Sequence, residues 1–410
     1  MNGVLAIFGS GETAPTMIKT HRALLERAGG GSAVVLDTPY GFQENADDIS
    51  ARTQGYFADS VGRAVDVVRW RHAPEPGVDR ERCLAAVRDA AWVFAGPGSP
   101  TYALRQWRDT GLPEALTDVL RAGGTVVFAS AAALTLGSHA VPVYEVYKAG
   151  VEPYWEPALD LVWTVTGLPA VVVPHYDNAE GGHHDTRFCY LGERRLGALE
   201  AELPADAVIL GVDEHTAVVL DLGARTATVV GRGGLTVRRR GASRVFPAGS
   251  CLRFEDLLGD GSMVDTALAP RVVQPAAPPR ALASLRAEAD AAEAAFDQAL
   301  AARAVDGCVA VVLGLEQTIL DWSADTLTSS EGTHARRVFR ALITRLPAVA
   351  APATAEHREA VRPYVEALLM VREKARRRRD FVTSDAVRDQ LARAGVEARD
   401  TPGGAEWELR

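Results

Sequence analysis

Cysteine is scarce in this chain. Four occur in 410 residues, Cys83, Cys189, Cys251 and Cys308. They lie far apart with no C-x-x-C pair, which excludes a zinc ligand set and a disulfide framework and points to reduced thiols in a cytoplasmic setting. Long hydrophobic runs are missing too: nothing approaches the ~18 to 20 apolar residues of a membrane span, so no membrane partner is expected. The stretch Met1-Asn-Gly-Val-Leu-Ala-Ile-Phe8 has no basic residue ahead of its apolar part and reads as a first strand, not an export signal. Basic excess is also absent. The formal net charge is −9, so any nucleic-acid contact must be local. No internal repeat occurs, and no low-complexity tract beyond an alanine bias.

What is present is globular. Apolar residues make up 47% and charged residues 24%, and the length exceeds one ordinary core, so two domains are expected. In the first part, β-branched runs at 3–8, 33–37, 65–70, 92–95, 125–130 and 170–174 read as strands. Between them, 17–28, 47–64, 80–90, 101–108 and 112–121 read as helices. Alternation of this kind implies an α/β domain with a mainly parallel sheet covered on both faces. From Ala207 to Phe254 the pattern turns hairpin-like, with strands at 207–211, 216–221, 226–231 and 235–239.

The α/β domain is placed at 1–258 and a Pro- and Ala-rich linker at 259–284. A helical domain at 285–410 follows, with helices at 284–302, 306–324, 334–346, 357–379 and 384–394. It is a small all-α bundle closed by a short hairpin over 396–409. Thr383 or Ser384 is the expected cap of the last helix. The run Arg376–Arg379 is either a solvated helix face or a local phosphate-binding stripe.

Candidate chemistry collects at predicted strand ends, where open α/β sheets bind ligands. Thr125-Val-Val-Phe-Ala-Ser130-Ala-Ala-Ala puts one serine between a strand and a small-residue helix start, the arrangement that presents a nucleophile beside free backbone amides. Gly9-Ser-Gly11-Glu12 and Gly96-Pro-Gly98-Ser99-Pro100 are glycine-containing turns that let backbone approach a ligand. His175 follows the apolar run 170–174. Beyond it, 177–187 is dense in ionisable groups and reads as a recognition loop or a solvated surface loop; its adjacent histidines match metal-ligand spacing poorly, so no metal is expected. A histidine base needs an orienting carboxylate, and Glu145 and Glu214 are both available. Tyr144, Tyr147, Tyr154, Trp155 and Trp163 form an aromatic group that is either a pocket wall or core, with core favoured for the tryptophans.

These residues carry a resemblance. Gly96-Pro-Gly98-Ser-Pro-Thr-Tyr-Ala-Leu104, Ser130-Ala, Pro174-His175-Tyr with Asp185-Thr-Arg187, and Gly211-Val-Asp-Glu214-His-Thr-Ala217 resemble, in order, four segments of the aspartyl dipeptidase and cyanophycinase family. The resemblance covers roughly the first 255 residues and implies the class I glutamine amidotransferase-like fold, with serine hydrolysis of peptide bonds next to aspartate. It implies Ser130 as nucleophile, His175 as base, and Gly98 and Ala131 as oxyanion donors. Gly11, Ser99, Asp185 and Arg187 would contact substrate, with Arg187 pairing an acidic carboxylate. Glu145 falls where dipeptidases place their acid and Glu214 where cyanophycinases do. The family's glycines two before and two after the serine are here Phe128 and Ala132.

The segment 363–391, followed by Gly395-Val-Glu-Ala-Arg-Asp400-Thr-Pro-Gly-Gly404-Ala-Glu-Trp407, resembles the C-terminal end of cysteinyl-tRNA synthetases. That implies a tRNA partner reached through residues 357–410. The family's catalytic His-x-Gly-His and Lys-Met-Ser-Lys-Ser runs do not occur, so aminoacylation is not expected. The sequence therefore reads as a peptidase- or amidase-type hydrolase without cofactor, acting on a small peptide or amide. The competing reading is a degenerate amidotransferase-like domain that only binds tRNA or another ligand. The bundle's other reading is a structural or dimerisation element, which would make the chain a homo-oligomer.

Overall fold

Short runs of Val, Ile, Ala and Phe form the strands, and in the central ones period-two alternation sends successive side chains to opposite faces. The structure is a computed structural model and describes residues 2–181, 184–259, 284–323, 331–401 and 404–409. The chain divides into two compact units, Met1–Leu285 with Thr318–Gly332, and Arg286–Gln317 with Thr333–Arg410.

In the first unit the strands are β1 (Val4–Phe8), β2 (Ser32–Leu36), β3 (Asp66–Val68), β4 (Ala90–Ala95), β5 (Thr125–Ala129), β6 (His139–Ala140) and β7 (Glu156–Pro157). Then come β8 (Ala170–Val173), β9 (Val208–Val212), β10 (Thr216–Asp221), β11 (Thr226–Gly231), β12 (Gly234–Arg239), β13 (Ala242–Pro247) and β14 (Cys251–Arg253). An eight-stranded sheet has the order β14-β11-β10-β1-β5-β4-β2-β3. Its run from β1 to β3 is parallel, while β10, β11 and β14 add antiparallel strands. A second sheet of order β13-β12-β9-β8 has β8 and β9 parallel.

Alternation builds two cores. Leu5, Ile7, Val126 and Phe128 pack on one face of the large sheet, and Val4, Ala6, Phe8, Val127 and Ala129 on the other. Phe128, at the position of a family glycine, is thus an ordinary core residue: it is fully buried, with its ring 5.5 Å from that of Trp107.

Several sequence expectations shift. The helix expected over 47–64 is α-helical only over Ala46–Gly55 and continues as a wider π turn, Tyr56–Val61. β13 and β14 lie outside the expected strands. Trp163, expected in the core, is exposed. The linker expected at 259–284 lies, from 260 to 283, outside the described residues.

In the second unit the alanine-rich pattern gives helices Leu285–Ala301, Val305–Asp321, Glu331–Arg377 and Phe381–Arg393, then β15 (Val396–Thr401) antiparallel to β16 (Gly404–Leu409). The two helices expected over 334–346 and 357–379 are one. Pro347 and Pro352 lie inside it, and the alanines at 348, 350, 351, 353 and 355, the strongest helix formers, offset part of the ~3 kcal/mol each proline costs. The last helix is capped by Asp380, whose carboxylate accepts the Thr383 amide, so it begins three residues before Ser384. Phe296, Cys308, Leu315, Ala335 and Leu342 are buried, and Val365, Leu369, Leu391 and Val396 form a cluster against which Trp407 packs.

One buried histidine ties the core on the Phe8 face of the sheet to the loop after β1. His21 is fully buried among Phe8, Tyr56, Phe57, Trp92 and Phe94, and its Nε2 donates to the Glu12 carbonyl at 2.7 Å. Burial lowers its pKa from 6.5 to about 4, against the raising effect of that hydrogen bond. The unfolded chain therefore takes up this proton first as pH falls, so His21 contributes stability above pH 6.5 that is lost progressively toward pH 4. Denaturant unfolding should show this contribution shrinking by on the order of 2 kcal/mol between pH 7 and pH 5, with a shallower loss in His21→Phe. An identical pH slope in that variant would contradict the assignment.

Candidate active site

Four strand ends, those of β1, β4, β5 and β8, converge on one cavity, and the end of β9 stands behind it. The chain leaves β5 at Ala129 and reverses at Ser130, whose backbone adopts φ 51°, ψ −119°. A non-glycine residue held there costs roughly 1–3 kcal/mol, and such strain persists only where the surroundings enforce it. Here the Ser130 amide donates to the Phe8 carbonyl at the end of β1 (3.2 Å), and the Ala132 amide donates to the Gly96 carbonyl beyond β4 (3.2 Å). The turn thus forms with Phe128 and Ala132 in place, because the Phe128 side chain leaves toward the sheet core.

Pro174 ends β8 and His175 follows with φ 48°, its amide donating to the Gly9 carbonyl at 3.3 Å. Its ring reaches both neighbours. Nε2 lies 2.9 Å from Ser130 Oγ, and Nδ1 lies 2.9 Å from Glu214 Oε1. An ionised carboxylate only accepts, so Nδ1 carries the proton and Nε2 faces the hydroxyl as acceptor. Glu214, just beyond β9, is fixed twice more: Asn178 Nδ2 donates to the same Oε1 at 3.0 Å, and the Glu214 amide donates to Asp177 Oδ1 at 2.7 Å. Burial disfavours the Glu214 charge, but the His175 hydrogen bond and charge, together with the Asn178 amide, outweigh it and hold the carboxyl below its usual range. Next to it, burial and the neighbouring Asp177 push Asp213 up to about 6.

Glu145 is elsewhere engaged. Its Oε1 accepts from Thr101 Oγ1 at 2.7 Å and lies 4.0 Å from Arg105. Of the two candidate acids, Glu214 is the one on the imidazole.

The cavity, of about 250 Å³, is lined by Gly98, Ser130, Ala131 and His175 together with Glu12, Leu134, Val143, Tyr144, Tyr147, Lys148, Glu180, Cys189 and Tyr190, among others. Gly98 has φ 142°, and a Cβ there would stand 1.9 Å from the Pro39 carbonyl oxygen, so only glycine brings this turn to the serine. The Ala131 amide is one of those a helix start leaves without an intrahelical acceptor. Three successive left-handed residues, Phe188, Cys189 and Tyr190, turn the chain back; the Cys189 amide donates to the His175 carbonyl at 3.1 Å, and the Tyr190 hydroxyl donates to Glu180 at 2.9 Å. Burial pushes the Cys189 thiol and the Tyr190 phenol up, keeping both protonated.

The four residues expected to contact substrate are not among those lining the cavity. Gly11 faces the His215 ring, and Ser99 caps the helix Pro100–Trp107 by accepting the Tyr102 amide. Asp185 and Arg187 hold each other through two bonds of 2.9 Å, and Asp185 also accepts the Glu193 amide. Arg187 and that amide together drive the Asp185 carboxyl far below its usual range.

The sequence pattern does not single out Glu12, Lys148, Asn178 or Tyr190. Glu12 and Asn178 do stand close to recognised residues, at the Gly9 turn and three residues past His175. Tyr190 carries no signal without the fold. Among the described residues no group of three His, Cys, Asp or Glu forms a metal-binding cluster, and no helix is long and apolar enough to cross a membrane.

Comparison with known proteins finds different likenesses for the two parts of the chain. A solved peptidase from an acI-B1 Actinobacterium shares the fold with a TM-score of 0.51 at 21% identity, covering 62% of this chain and 98% of that one. Residues 358–407 match the family described as the cysteinyl-tRNA ligase anticodon binding domain. The chain joins a peptidase-like fold to a module like the end of a cysteine–tRNA ligase. The cysteine–tRNA ligase of Oleidesulfovibrio alaskensis is 56% identical over 45 residues, and that of an Arthrobacter species 40% over 90. The chain spans only 9% and 18% of the length of those two relatives.

In the second unit, the end of helix Glu331–Arg377 and the hairpin flank a groove lined by Lys374, Arg376, Arg377 and Trp407, among others. Arg358 lies over the Trp407 ring, 5.2 Å from its centre.

Proposed function

We propose that the first unit is a serine hydrolase of the peptidase or amidase type. Ser130 Oγ attacks the carbonyl carbon while His175 Nε2 takes its proton. Glu214 keeps the imidazole in the right tautomer and stabilises the imidazolium that forms. The amides of Gly98 and Ala131 receive the developing oxyanion. His175 then protonates the leaving amine, and water, activated by the same imidazole, releases the acyl group. The observation that carries this reading is the continuous chain Ser130–His175–Glu214, with both links at 2.9 Å and the serine in a strained bend.

For the second unit we propose binding to the anticodon arm of a tRNA through residues 357–410. The groove offers Lys374, Arg376 and Arg377 as cations for phosphates, Arg377 sharing its charge with Glu373, which suits this role.

A fluorophosphonate probe should label Ser130 and no other serine, and Ser130→Ala should remove labelling without loss of folding. Glu214→Gln should slow labelling by about a hundredfold or more, and Glu145→Gln by less than about threefold. Labelling that survives Ser130→Ala, or that depends on Glu145 instead, would contradict the assignment.

Bulk tRNA titrated at low and at physiological salt should bind the full chain, weakening as salt rises. Absence of binding at low salt would remove the tRNA partner.

A further inference from the structure

One turn grips Glu214 at three points. His175, Asp177 and Asn178 lie together just past β8, and all three reach across to Glu214 beyond β9. His175 Nδ1 lies 2.9 Å from Glu214 Oε1, Asn178 Nδ2 donates to the same oxygen at 3.0 Å, and Asp177 Oδ1 accepts the Glu214 amide at 2.7 Å. The turn closes on itself, because the Asn178 amide donates to the His175 carbonyl at 3.2 Å. Asn178 is fully buried and does not line the cavity, so contact with substrate does not account for it. Its carbonyl end is used as well: Oδ1 accepts the amide of Glu180, a residue that does line the cavity, at 3.2 Å. A buried side-chain amide has to pair both ends, and here only one orientation does so. Half a rotation would set its oxygen against the carboxylate and its NH2 against the Glu180 N–H.

We infer that Asn178 is a positioning residue of the triad, holding the Glu214 carboxylate so that Oε1 stays on His175 Nδ1 and tying it to the Glu180 wall of the cavity. The inference deepens the hydrolase reading and rests on it. Without the Asn178 amide, Oε1 loses one of its two side-chain donors, and the carboxylate can turn about its last bonds away from the imidazole. The bond to Nδ1 weakens steeply with distance and angle. Nothing then fixes the proton on Nδ1, and in the other tautomer Nε2 faces Ser130 as a donor, unable to take its proton. Asp177 holds only the Glu214 backbone and leaves the side chain free to make that turn. Asn178 therefore acts through Glu214, and its effect has to vanish once the Glu214 carboxylate is removed.

The test is a double-mutant cycle on fluorophosphonate labelling of Ser130 in the full chain, using Glu214→Ala and Asn178→Leu, which keeps the shape and removes the polar atoms. Asn178→Leu alone should slow labelling about ten- to hundredfold, and in the Glu214→Ala background by less than about threefold. A residue that only supports the fold would slow both backgrounds alike. A second reading needs no change at Asn178 and decides the matter if Asn178→Leu does not fold. In NMR of the otherwise unchanged chain, the Asn178 side-chain proton aimed at Glu214 should lie downfield of an ordinary asparagine amide and return in Glu214→Ala. Equal slowing in the two backgrounds, slowing below about threefold by Asn178→Leu alone, or an amide proton that Glu214→Ala leaves in place would each overturn the inference while Ser130 stays the nucleophile. A chain whose Ser130 takes no label at all removes the hydrolase reading, and this inference with it.

Discussion

Everything proposed for the first unit depends on one imidazole held from both sides. The Glu214 carboxylate fixes the proton on His175 Nδ1, and that leaves Nε2 free to accept from Ser130. Neither contact survives a small displacement, since a hydrogen bond weakens steeply with distance and angle. The fold therefore has to position three side chains from three strand ends within a few tenths of an ångström. It does so with backbone. Ser130, His175 and the turn 188–190 all occupy left-handed conformations, each tied by an amide to a neighbouring strand end or turn.

Such strain has to be outweighed elsewhere. The central sheet is buried on both faces, and its Phe128 and Trp92, with Trp107 of the helix Pro100–Trp107 against Phe128, are among the largest enclosed side chains. Phe128 illustrates the trade: a glycine there would relax the approach to the serine bend, whereas a buried aromatic contributes packing worth about 3–5 kcal/mol against its loss. The bend is then maintained by the amide contacts to Phe8 and Gly96.

Much of this is legible in the sequence. Strands β1, β2, β4, β5 and β8 fall within two residues of the β-branched runs, because each is bounded by glycine, proline or a polar turn. Ser130, His175 and Glu214 are readable as residues emerging at strand ends. Their mutual contact is not, since it depends on β8 and β9 lying parallel in a separate sheet. The choice between Glu145 and Glu214 is likewise a question of three-dimensional distance. Arg187 looks available in the sequence because Asp185 two residues earlier gives no sign that it will fold back onto it. In the second unit, prolines suggest a helix break that alanine-rich sequence bridges.

The most direct measurement of the central arrangement is low-field proton NMR of the full chain, which reads the His175 Nδ1 proton itself. A hydrogen-bonded imidazole proton should be seen downfield, lost in Glu214→Ala and unmoved in Glu145→Ala. A spectrum lacking that resonance, or one in which Glu145→Ala removes it, would contradict the account.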